Sequence, residues 1–191
     1  MSNLLRVRID EIALFQREVT LRLPFRFGVV TLMHCPQAFA RVHLTPENGR
    51  SVEGVSAELM VPKWFDKTLG KSNDDNIADL AASLHRARTA YLSDRAARTA
   101  FEHFATHHRE LIDSAVHEGS NALAACYGPA VIDRAVLDAV CRALDISFYK
   151  AIRGNVPGIR AGELAPDLAG FDLDAYLNSL TPSTSIAVNR H

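Results

Sequence analysis

The feature that most constrains this chain is a change of hydrophobic period near residue 73. Before it, apolar residues recur every second position; after it, they recur every third and fourth. A block of strands followed by a block of helices folds as α+β, here an antiparallel sheet followed by a helical bundle. In the strand block, Leu5, Val7 and Ile9 alternate with Arg6, Arg8 and Asp10, and the alternation resumes through Val19, Leu21 and Leu23. Pro24 removes a ladder donor, so the stretch Pro24 to Cys35, built around Gly28, is expected to leave the sheet as an apolar loop. "AFARVHL" then places Phe39, Arg41 and His43 on one face and Ala40, Val42 and Leu44 on the other. The Asn48-Gly49 pair predicts a hairpin turn into "SVEGVSAE". The expected opening unit is a three-stranded antiparallel meander.

The helical block opens with "SNDDN", which offers cap residues and first-turn acids, and carries Ile77, Leu80, Ala81, Leu84 and Tyr91 on one face. Ser93-Asp94 breaks it. A second helix follows with Ala97, Phe101, Phe104, Leu111 and Ala115, closed by Gly119. A third starts at Pro129, where the first turn needs no donor. In "AVIDRAVLDAVCRALD" only Arg134, Asp138 and Arg142 form a polar row, so most of the circumference calls for cover. Gly154, Pro157, Gly158, Gly162, Pro166 and Gly170 mark a connecting segment. A short helix is expected near Asp172 to Leu180, and "SIAVNRH" reads as a strand without a partner.

Composition excludes several partners. The formal net charge of −1 gives no reason to expect nucleic acid or an anionic membrane. No signal-peptide core or membrane-length apolar run occurs, and three widely spaced cysteines fit a reducing cytoplasm.

Three segments in this order, "LPFRFG" (Leu23 to Gly28), "GVSAELMVPKWFDK" (Gly54 to Lys67) and "AVIDRAVLDAVCRALDISFYKAIRGN" (Ala130 to Asn155), resemble the N-terminal capping domain of the enolase superfamily. The nearest branch is the group of mandelate racemase and muconate lactonizing enzyme. In that family a glycine pair ends the last helix; here Asn155 stands in the second place. The resemblance implies a capping (lid) domain over 1–155. Residues 156–191 would then be a connecting segment and the first strand of an incomplete (β/α) barrel. It also implies an Mg²⁺-dependent racemase, cycloisomerase or acid-sugar dehydratase that removes a proton next to a carboxylate. The metal ligands and the base belong to the barrel, so no catalytic residue and no metal ligand is expected in this chain, and magnesium only in the complete enzyme. The partner is a small-molecule carboxylate, and the family's habit points to a homo-oligomer.

What the resemblance assigns here is the lid, made of Pro24 to Cys35 and Leu59 to Lys67. Phe25, Phe27, Val30, Met33, Met60 and Trp64 would wall the pocket, with Arg26 or Lys63 meeting a polar end of the substrate. The alternative is a stand-alone, non-catalytic α+β binding or oligomerisation module, its third helix covered by a second copy. Other clusters read more plainly. His103 and His107 are spaced to share a metal but lack a third ligand, and His108, on the apolar stripe, is expected to be the core histidine. His34 and Cys35 point apart on an extended chain. Asp74-Asp75 and Asp172-x-Asp174 are expected to be helix caps.

Overall fold

A computed structural model describes residues 4–28, 30–47 and 49–188. Three antiparallel strands, β1 (Val7–Phe27), β2 (Val30–Pro46) and β3 (Val52–Leu59), form one sheet in the order β1-β2-β3. The helices are α1 (Asn73–Ser93), α2 (Ala100–His117), α3 (Ala122–Ala125), α4 (Tyr127–Ala143), α5 (Phe148–Arg153), α6 (Ala161–Leu164) and α7 (Leu173–Ser179), with a 3-10 turn at 166–168. The expected α+β meander followed by helices is the architecture observed.

The apolar stretch after Pro24 is not a loop. β1 and β2 run on as a hairpin ribbon, pairing Phe25 with Leu32, Arg26 with Thr31 and Phe27 with Val30. Pro24 is tolerated because the ladder is interrupted around it: between Thr20–His34 and Phe25–Leu32, residues 21–24 lie opposite Met33 alone. The missing amide therefore costs no bond. Gly28 turns the ribbon at φ +54°, a conformation open to glycine. Asn48 of the predicted hairpin turn lies outside the described residues, while the strands it joins pair as expected.

One face of the sheet supplies Val7, Ile9, Ile12, Ala38, Ala40, Val42 and Leu44 to the core. α4 lies on β2 and β3, and α1 packs beside it with Leu80, Leu84, Ala87 and Tyr91 inward. The contact is backbone-close: a Cβ on Gly54 would fall 2.2 Å from the Ala135 carbonyl, and one on Gly128 would fall 2.2 Å from that of Ser83. The apolar circumference of α4 is thus covered within the chain, and no second copy is needed for it. Capping boxes at Ser72–Asp75 and Thr99–Glu102 start α1 and α2. Asp75 serves its box, and Asp172 accepts from the Ala175 amide to cap α7.

The expected strand at the end of the chain is absent from 180–188. Ile186 and Val188 belong to no element and stand 88% and 84% exposed; 189–191 lie outside the described residues. A single strand has no ladder partner here to fix it. The connecting segment packs back on α2 through the Phe101 amide to the Pro157 carbonyl (2.9 Å) and Arg160 to Glu102 (3.1 Å). Among the described residues, no helix is long and apolar enough to cross a membrane.

Candidate functional site

The site is assembled from the ribbon tip and the segment that leaves β3. Period-two alternation puts Phe25 and Phe27 on one face of the ribbon, their ring centroids 5.6 Å apart. Trp64 meets Phe27 edge-on, centroids 5.2 Å apart at 77°. Phe25 and Trp64 nevertheless remain about half exposed, 52% each. Two open cavities share Trp64 as a wall. One, of about 790 Å³, is lined by Leu21, Leu23, Phe25, Leu32, Val61 and Trp64 among others. The other, of about 890 Å³, is lined by Phe27, Val30, Lys63, Trp64, Lys67 and Leu69 among others.

The segment carrying Trp64 has no regular secondary structure, so its backbone groups are held by individual bonds to other backbone groups and to side chains. The Met60 amide donates to the Pro36 carbonyl at 2.8 Å, and the Lys63 amide to Asn76 Oδ1 at 2.7 Å. The Lys63 ammonium donates to the carbonyls of Thr68 and Lys71. Below it, Lys71 Nζ joins two carboxylates, Asp79 at 2.6 Å and the buried Asp66 at 3.0 Å. The Thr68 amide also donates to Asp66, and these donors with the Lys71 charge bring the Asp66 carboxyl down to about 2. Lys71 is held above the usual lysine range, by Asp79 first and Asp66 second. Phe65 packs edge-on against Tyr127 of α4 at 5.4 Å. Trp64 therefore stands on a braced segment facing a two-stranded ribbon.

Of the expected lid residues, the structure brings together Phe25, Phe27, Val30 and Trp64. Met60 does not wall a pocket: it is 1% exposed and belongs to the core, because its amide continues the β2 pairing and turns the side chain inward. Lys63 reaches the second cavity with its stem while its charge is spent on backbone carbonyls. Arg26 pairs with Thr31 between the two phenylalanine positions, which puts it on the opposite face, and neither it nor Met33 lines either cavity. Leu21, Leu32, Val61 and Leu69 complete the walls. Reading 24–35 as a loop concealed Leu32, because only strand pairing sets it beside Phe25. At the cavity mouths, Arg22 and Lys67 make no ion pair among the described residues, whereas Glu58 is neutralised by Arg134 at 2.8 Å. The local charge favours an anion.

The histidines have other work. His103, not His108, is the core histidine: it is fully buried, donates from Nε2 to the Val7 carbonyl at 2.8 Å, and burial lowers its pKa. His107 stacks on Tyr91 at 4.9 Å with Nε2 3.6 Å from Asp94, and His108 stacks on Phe104. Among the described residues, no three His, Cys, Asp or Glu side chains converge to hold a metal. Cys35 is buried, its thiol pushed up by desolvation and by Glu18.

No protein-family profile and no curated protein matches the chain. Among solved structures, it is similar to an enolase from Bradyrhizobium complexed with magnesium and mandelic acid, at 12% identity and TM-score 0.49 over 81% of this chain and 36% of that one. It is similar to the L-Ala-D/L-Glu epimerase of Bacillus subtilis at 16% identity and TM-score 0.42, over 77% and 34%. A member of the enolase superfamily from Listeria innocua shows 19% identity and TM-score 0.43, over 78% and 33%. The chain spans about a third of the length of each of these structures.

Proposed function

We propose that the chain is the substrate-capping part of a magnesium-dependent enolase-superfamily enzyme, a racemase, cycloisomerase or dehydratase acting on a small carboxylate. On this reading residues 1–155 are the lid, and 156–191 lead into the domain that carries the chemistry. The observation that carries it is the Phe27–Trp64 contact. Two apolar segments far apart in sequence meet at one end of the molecule and leave two half-exposed aromatic rings beside open cavities. Apolar walls with a few cations suit the distal part of a carboxylate substrate and exclude water from it. Phe25, Phe27, Val30 and Trp64 would touch the distal part of the substrate, with Arg22 or Lys67 meeting a polar or anionic group on it. Magnesium would stabilise the negative charge that builds on the substrate's carboxylate oxygens as the α-proton is removed, and none of its ligands would come from this chain.

The test uses the gene product read through beyond the codon for His191, in D₂O, with α-hydroxy, α-amino and sugar acids. The expected result is magnesium-dependent exchange of the α-proton for deuterium. Trp64→Ala then raises KM about tenfold, equivalent to about 1.4 kcal/mol, with a smaller change in kcat. The absence of both exchange and any isomerised or dehydrated product from every acid, with or without magnesium, contradicts the proposal and favours the stand-alone binding module.

A further inference from the structure

The sheet face turned away from the helices carries an ordered grid of side chains that the capping role does not use. Pairing across the three strands sets it in four rows: Glu11–His43–Glu53, Ala13–Arg41–Val55, Phe15–Phe39–Ala57 and Arg17–Gln37–Leu59. Alternation fixes the direction, since Ile12, Val42 and Gly54 face the helices and their neighbours face out. Phe15 is 51% exposed and Val55 45%. Arg41 lies over the Phe15 ring and Arg17 over Phe39, at 5.3 and 5.1 Å, so the aromatic pair is framed by guanidinium groups. Glu11 makes no side-chain hydrogen bond or ion pair among the described residues. Arg17 spends only Nε and Nη2, both on Gln37 Oε1.

We infer that this face docks a second copy of the same chain, sheet against sheet. Consider a two-fold axis in the interface, perpendicular to the strands, between the rows of residues 13 and 15. It lays β1 over the partner's β1 with the rows reversed. Glu11 then meets the second copy's Arg17, and symmetry makes the pair twice. Large residues meet small or complementary ones across the same axis: Phe15 covers Ala13, Arg41 covers Phe39, and Val55 covers Ala57. An isologous interface must be self-complementary in this way. Two antiparallel sheets stack face to face in the same manner inside sandwich folds. The centre is mixed, with Phe15, Phe39 and Val55 beside Arg41, which pairs with Glu53 at 3.7 Å within one copy, and aromatic and arginine side chains together are what protein interfaces favour. This surface is separate from the ribbon tip, so the inference stands whether or not the chain caps a barrel.

Sedimentation equilibrium of the full chain tests it. The expected result is a dimer that Glu11→Arg or Arg17→Glu each weakens about tenfold or more, by setting like charges against each other. The double variant E11R/R17E restores association, because the swapped charges meet again only between copies. Circular dichroism melting shows whether each variant folds. Should Arg17→Glu fail to fold, Glu11→Arg and Phe15→Lys, both at exposed positions, carry the test, and both should dissociate the dimer. A monomer at all concentrations, a dimer indifferent to the single swaps, or a folded double variant that stays dissociated overturns the inference.

Discussion

At the residue scale, the clearest case is Asn155. The sequence alone shows it standing where the resembling family has glycine, and the structure shows why glycine would serve: φ is +46°. Asparagine tolerates the left-handed region better than other residues with a side chain. Its side chain also adds something glycine lacks. Nδ2 donates to the Ile159 carbonyl and to Asp174, and Oδ1 accepts from the Ile159 amide at 2.7 Å, tying the end of α5 to the connecting segment. Asn155→Ala should therefore cost about 1–3 kcal/mol, from the strained backbone and the lost hydrogen bonds, and Asn155→Gly less. Thermal unfolding of the two variants checks the order; alanine equal to or better than glycine would contradict it. Met60 shows the limit of residue-level reading. Its type suits a pocket wall and a core equally, and only its amide bond to Pro36 decides for the core.

At the scale of elements, the two halves of the site differ in how they are held. The ribbon is two strands with an interrupted ladder, and such a ribbon is marginal on its own. The segment 60–71 is fixed by the Asp66–Lys71–Asp79 ion cluster and the Lys63 clamp. The Asp66 carboxyl lies at about 2 in the folded chain against an ordinary 3.8, so its contribution is fully present above about pH 4 and is lost as pH falls towards 2. Trp64 is the single tryptophan and reports on this segment directly. Asp66→Asn should red-shift its emission at pH 7 and remove the change that the unaltered chain shows between pH 4 and 2. An unshifted emission would mean that the cluster does not brace the segment. Much of the fold was legible at this scale, since the alternation of Val7, Ile9, Val42 and Leu44 and the α4 apolar pattern name the core correctly. The ribbon was not. Pro24 is a local stop signal, and what overrides it is a pairing between distant residues that period alone does not reveal.

At the scale of the whole molecule, helices cover one sheet face, the other face is an exposed grid, and one end carries the aromatic tip. The sequence resemblance led to Phe25, Phe27, Val30 and Trp64, which do assemble. It led equally to Arg26, Met33 and Met60, which do not, because facing depends on a strand register that a loop reading leaves undefined. The central claim is that Trp64 and the ribbon tip close over a bound carboxylate. The most direct measurement is the emission of Trp64 in the full-length gene product, taken as the difference between the unaltered protein and Trp64→Phe. It is recorded with magnesium, before and after addition of a carboxylate that undergoes exchange. A blue shift with reduced acrylamide quenching is predicted, since closure removes the half-exposed indole from water. Emission and quenching unchanged at saturating carboxylate would contradict the account.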